Sequence, residues 1–170
     1  LCVTLSKQRV LGFDIECKPN FKRGPNNPPA LVQLATSDQA FLFKLYPVMK
    51  LGPLIEILED PKIVKTGVAI KDDINNLQKI EPFTPGGFED IATIAQSLKI
   101  EQTGLRNLTA IFFNQRLSKS AQLSNWQKRP LSPSQINYAA TDAWISRELY
   151  MIMKPRLALV PPKSNPSPEH

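Results

Sequence analysis

The sequence predicts an α/β domain whose mixed central sheet starts as three antiparallel strands and carries helices on its flanks. Three observations carry that reading. The N-terminal part holds three short runs rich in Val, Leu, Ile and Phe. The middle alternates helical and strand periodicities, and the chain closes on one long helical segment. With 170 residues, 42% of them hydrophobic, the chain is long enough for one full core and too short for two. The domain is expected to span 1–154, followed by a tail or linker at 155–170.

The three opening strands are expected at 10–15, 31–35 and 40–45, separated by Pro/Gly/Asn-rich and Ser-Asp turns. A meander follows from that spacing. Apolar residues then recur at helical spacing over 51–58, a short buried strand runs 62–67 and closes at Gly67, and helical spacing resumes over 72–80. Further helices are expected at 89–98, with Asp90 as its cap, and at 105–113. The last helix, 133–153, has a full start signal. Ser132 is its N-cap, Pro133 occupies the first helical position, and Gln135 stands where a capping box needs it. The tail from Pro155 has five prolines in sixteen residues and no periodic apolar face, which reads as linker.

Net charge is +6 with a pI near 9.4, so a polyanionic partner such as nucleic acid is expected. Cys2 and Cys17 make no disulfide framework and lack a zinc-type partner set, which suits a reducing intracellular compartment. No apolar run approaches the ~20 residues that a membrane span needs. Leu1 is not a methionine, so an upstream segment is compatible with this sequence.

Against that basic background, acids fall in three separated blocks. Asp14 and Glu16 lie two apart in an apolar run, which puts both on one face of a strand. Asp72 and Asp73 follow a strand-closing run, where an acid also serves as a helix cap. Tyr138 and Asp142 lie four apart in the last helix and share a face. Taken singly, these are also a solvated strand edge, a cap and an ordinary hydrogen-bonded pair. Together, oxygen-only ligands suit Mg²⁺ or Mn²⁺, and two such ions ~4 Å apart clamp an in-line displacement at phosphorus. The only histidine is His170, so a core His base, a Ser-His triad and a His-built zinc site are excluded. A tyrosine hydroxyl, Tyr138, is then the group left to orient water.

The three blocks read Phe13-Asp14-Ile15-Glu16, Gly67-Val68-Ala69-Ile70-Lys71-Asp72-Asp73 with Leu77, and Tyr138-Ala139-Ala140-Thr141-Asp142-Ala143. Between them stand Leu31-Val32-Gln33-Leu34, Gly104-Leu105-Arg106-Asn107-Leu108 and Ser124-Asn125-Trp126. In these segments the chain resembles the DEDDy 3′→5′ exonucleases, the group of RNase D and the Werner syndrome protein's exonuclease domain. The resemblance implies an RNase H-like fold. It implies that Asp14, Glu16 and Asp142 hold one ion, that Asp14 bridges to a second, and that Asp73 holds the second through water. Tyr138 would then hydrogen-bond the attacking water, leaving Asp72 as a cap.

The implied substrate is nucleic acid with a free 3′ end, DNA ahead of RNA, with a helicase or polymerase as companion. In a eukaryote the nucleus is the expected compartment, with an organelle also open. A catalytically silent binding or scaffolding module is the alternative reading. Lys18, Phe21, Lys22 and Arg23 form a basic loop with an aromatic, suited either to phosphates and a base or simply to solvent. Lys128 and Arg129 are placed for phosphate or for plain surface, while Trp126 reads as core. Asn75 stands where Werner-type relatives are expected to carry a stacking aromatic, which leaves duplex-end handling open.

Overall fold

The computed structural model of the chain describes residues 2–21 and 27–159. Lys22, Arg23, the tail beyond 159 and His170 lie outside the described residues. A short helix α1 (Cys2–Ser6) precedes strands β1 (Val10–Cys17), β2 (Pro29–Ala35) and β3 (Ala40–Lys44). Then come α2 (Leu54–Glu59), β4 (Val64–Gly67), α3 (Lys71–Ile80), β5 (Phe88–Asp90), α4 (Ile91–Ser97), α5 (Leu105–Phe113) and α6 (Pro133–Met153). The sheet order is β3-β2-β1-β4-β5. β1, β2 and β3 pair antiparallel, as the meander predicts, while β4 and β5 join parallel to β1 and β4.

Alternation along β1 and β2 splits the core into layers. Leu11, Phe13 and Ile15 from β1, with Val32 and Leu34 from β2, enter a cluster with Leu54, Ile57, Leu58 and Leu77 from α2 and α3. The opposite face is covered by α6 and its neighbours. Ile91 and Ile94 of α4, Leu108 of α5 and Ile145, Leu149 and Met153 of α6 form a second cluster against Val10 and Val64. A third centres on Trp126, fully buried against Leu31 and Ala139. Because α6 meets core on several sides, its apolar residues are not confined to one stripe.

α6 starts as predicted. The Ser132 hydroxyl oxygen accepts from the Gln135 backbone N–H at 3.2 Å, and the Gln135 side-chain Oε1 accepts from the Ser132 backbone N–H at 3.0 Å. The Gln135 amide also donates to Ser124 and to the Asn125 carbonyl. One side chain thus starts the helix and fastens the segment that delivers Trp126.

Several expected details are corrected. The helix expected at 51–58 begins only at Leu54, after the Gly52-Pro53 turn. α3 is capped by Ile70 without a side-chain bond, so Asp72 sits inside the first turn and is not the cap. Glu89 belongs to β5, and the helix there starts after Asp90, which does cap it by accepting from the Ala92 N–H at 2.8 Å. β5 and α1 are three and five residues long, too short for periodicity to reveal. In the segment expected as tail, Lys154–Leu159 form a 3₁₀ turn that places Leu157 against the second core, and the remainder lies outside the described residues.

Candidate active site

Side chains at even positions of β1 face α6, and the smallest of them determines how near that helix comes. A Cβ on Gly12 would lie 1.8 Å from the Ala143 carbonyl oxygen, so only glycine permits this contact. Close approach of α6 carries Asp142 onto the row of Asp14 and Glu16. Carboxylate oxygens of Asp14, Glu16 and Asp142 all lie within 4.8 Å of one another. Tyr138, one turn before Asp142, hydrogen-bonds that carboxylate and packs its ring 6.0 Å from Trp126.

Asp73 reaches the site by a different route. β4 stops at Gly67, where a Cβ would lie 2.4 Å from the Phe13 carbonyl oxygen, and Ala69 then turns at φ 57°. Asp90 clamps this turn. One carboxylate oxygen accepts from the Ala69 N–H at 3.1 Å and the other from the Ile70 N–H at 3.2 Å. The same acid therefore caps α4 and launches α3. Asp73, in the first turn of α3, is half-buried and electrostatically coupled to Asp14, while Asp72 is exposed. Asp73 is not part of the three-carboxylate group, so the four acids divide into a tight trio and an outlier.

Burial raises every one of these carboxyls, and neighbouring acids add to it at Asp14, Glu16 and Asp73. Glu16 is pushed up to about 9 by burial, then by Asp14, Asp142 and Asp73. Asp14 stands well above the usual carboxylate range through burial, with Asp73 and Asp142 adding to it. Burial lifts Asp142 to about 6 against the opposing Tyr138 hydrogen bond and Arg106 charge, and lifts Asp73 to about 6 with help from Asp72 and Asp90. Burial also raises the Cys17 thiol, to about 11, and keeps it a poor ligand at neutral pH. A donor set of close carboxylates without imidazole or thiolate fits hard divalent cations such as Mg²⁺ or Mn²⁺.

The trio and Tyr138 line a cleft of about 730 Å³. Its rim carries Arg106, Asn107, Arg116 and Lys119, none of which the sequence reading singled out for substrate. Arg106 and Asn107 follow Gly104 at the start of α5, and a basic, irregular stretch past Asn114 holds the other two; these were the available signals. The residues that were singled out lie elsewhere. Phe21 is 81% exposed beyond the end of β1, and Lys18 is exposed before it. Lys128 and Arg129 do not line the cleft, and the Arg129 guanidinium donates to the Tyr46 carbonyl at 2.6 Å. Asn75 lines a separate groove beside Lys71 and Phe88.

The family profile described as 3′-5′ exonuclease matches residues 1–158. The chain belongs to the 3′-5′ exonuclease family. That family is one of hydrolases acting on nucleic acids.

Ribonuclease D of Gluconacetobacter diazotrophicus is 33% identical over 129 residues, covering 75% of this chain and 33% of that protein. The mouse bifunctional 3′-5′ exonuclease/ATP-dependent helicase WRN is 32% identical over 157 residues, 88% of this chain and 11% of that one. Among solved structures, the Aedes aegypti Nibbler EXO domain superposes with TM-score 0.78 at 25% identity, covering 93% of this chain and 83% of that one. Trypanosoma brucei RNase D in complex with RNA U12 superposes with TM-score 0.77 at 20% identity, over 97% and 60%. The RNase H-like fold implied by the motifs is the fold of these neighbours. The chain spans about a third or less of the first curated relatives it matches. No helix among the described residues is long and apolar enough to cross a membrane.

Proposed function

We propose that residues 1–154 form a 3′→5′ exonuclease domain that uses two divalent cations, Mg²⁺ or Mn²⁺, to release nucleoside 5′-monophosphates. The observation that carries this reading is the convergence of Asp14, Glu16 and Asp142 within 4.8 Å at the floor of a basic-rimmed cleft. Cations bound there would neutralise charge at the scissile phosphate and favour deprotonation of the attacking water. Asp14, Glu16 and Asp142 would hold one ion, and Asp14 would contribute to holding a second. Asp73, outside the tight trio, would help hold the second ion.

Water attacks phosphorus, the bond to the 3′-oxygen of the preceding nucleotide breaks, and that oxygen leaves with a proton. Tyr138 orients the water. Burial, the Asp142 charge and the hydrogen bond to Asp142 push its phenol well above the ordinary tyrosine value, so at neutral pH it remains a donor. Arg106 steadies the ionised form of Asp142. Arg116 and Lys119 meet phosphates of the incoming strand, and Phe21 offers a face for a base. Lys18 adds basic charge nearby, Lys22 and Arg23, outside the described residues, follow it in sequence, and Lys128 and Arg129 add a more distant basic patch.

The expected preference for DNA over RNA has no support among the relatives, several of which are named ribonuclease D. RNA is therefore the first substrate to test. A helicase companion rests on the mouse relative, whose name joins both activities. Nuclear placement rests on the Werner-type resemblance alone, and imaging of the tagged full-length protein would test it.

The deciding experiment incubates 5′-labelled RNA and DNA with the protein in Mn²⁺ and in chelator. A ladder shortening from the 3′ end in Mn²⁺ only is expected, and no cleavage of either substrate would favour the silent-module reading. In single-turnover assays Tyr138→Phe should slow the chemical step roughly ten- to a thousandfold, the scale of one positioned group. An unchanged rate would leave Tyr138 a packing residue.

A further inference from the structure

Gln33 is the one residue of the described core whose side-chain amide is fully buried with neither its nitrogen nor its oxygen hydrogen-bonded. It sits in the middle of β2, a strand buried along its whole length. A methionine or leucine would fill such a place without leaving donors and acceptors unmatched. The amide therefore burdens the fold unless a partner exists in another state of the protein.

Register identifies that partner. Gln33 is the direct cross-strand neighbour of Asp14, and residues opposite each other in an antiparallel pair project to the same face with Cβ atoms about 4.5–5.5 Å apart. That face is the one on which Asp14 meets Glu16 and Asp142. We infer that Gln33 is a positioning residue for Asp14: its amide N–H would donate to an Asp14 carboxylate oxygen and fix the orientation in which Asp14 would hold a cation. Acidic ligands are commonly held this way by outer hydrogen bonds. The inference rests on the proposed metal-dependent reading of the site.

Gln33→Met conserves the volume and removes the amide, so two readouts should move in opposite directions. In chelator, the melting temperature should stay level or rise by about 2–4 °C, the scale of one relieved buried group in a domain of this size. Mn²⁺ affinity, titrated calorimetrically, should weaken roughly 10- to 100-fold, the usual effect of losing an outer hydrogen bond to a ligand. Equal Mn²⁺ affinity in Gln33→Met and the parent would overturn the assignment. So would a melting temperature several degrees lower in chelator, because the amide would then serve the fold itself. If the parent binds no Mn²⁺, the metal reading of the site fails along with it; if the parent binds and the variant matches it, only the role of Gln33 fails.

Discussion

Asp14→Asn should make the metal-free protein more stable while removing its catalysis. The carboxylate oxygens of the trio lie within 4.8 Å of one another. Two unit charges at that separation repel by about 3 kcal/mol at an effective dielectric of ~20 and by about 1 kcal/mol in bulk water. The fold can avoid repulsion by keeping Asp14 protonated, which at neutral pH costs at most about 4 kcal/mol relative to an ionised, unfolded aspartate. Either way the acid destabilises the empty fold. Asparagine keeps the shape and still accepts the Ile15 backbone hydrogen bond.

The variant should therefore gain about 1–4 kcal/mol, or roughly 2–16 °C in melting temperature for a domain of this size. The pH dependence has a definite sign. Glu16 titrates near 9 in the folded state against 4.5 unfolded, and Asp73 and Asp142 near 6 against 3.8. Between those values the folded chain binds more protons than the unfolded one, so metal-free stability falls as pH rises from about 4 to about 9. Asp14→Asn should flatten that fall. Mn²⁺ should reverse it in the parent, adding about 2.7 kcal/mol at a hundred times the dissociation constant, and do much less in the variant. Calorimetry across pH in chelator and in Mn²⁺ reads all of this. A variant that melts at or below the parent in chelator, with the same Mn²⁺ shift, would refute the reasoning.

Gly12→Ala should be severe for so small a change, because the new methyl meets the Ala143 carbonyl at 1.8 Å and must push α6 off β1. A stability loss of about 1–3 kcal/mol or more, with cleavage slowed beyond what the stability loss explains, is expected from melting and single-turnover assays. Asp73→Asn should abolish Mn²⁺-dependent cleavage whereas exposed Asp72→Asn should leave it within a few-fold; equal losses in paired assays would undo the assignment of the second-block acid. Arg116→Ala with Lys119→Ala should raise the KM for oligonucleotide and flatten its salt dependence, with kcat nearly unchanged, since each removed phosphate contact lowers the salt slope by roughly one. An unaltered salt slope would place the strand elsewhere.

What the sequence by itself determined was local or close to it. The meander, the capping box before Pro133 and the same-face pairs Asp14/Glu16 and Tyr138/Asp142 follow from periods and fixed spacings, which the backbone imposes without tertiary contacts. The order of the acid blocks likewise pointed to the 3′-5′ exonuclease family and to α/β architecture. Only the tertiary structure decided what depends on approach between distant segments. It showed Gly12 to be the position that admits α6, because a missing Cβ matters only once a second backbone arrives against it. It gave Asp90 its second role, since clamping Ala69 and Ile70 requires β5 to lie beside β4. It brought Arg106, Arg116 and Lys119 to the cleft, which Lys128 and Arg129 do not line, a placement fixed by where the loops after Ile100 and Phe113 are carried. Gln33 is the clearest case: in sequence it is one polar residue in an apolar strand, and its meaning comes from standing opposite Asp14 with nothing else to bond.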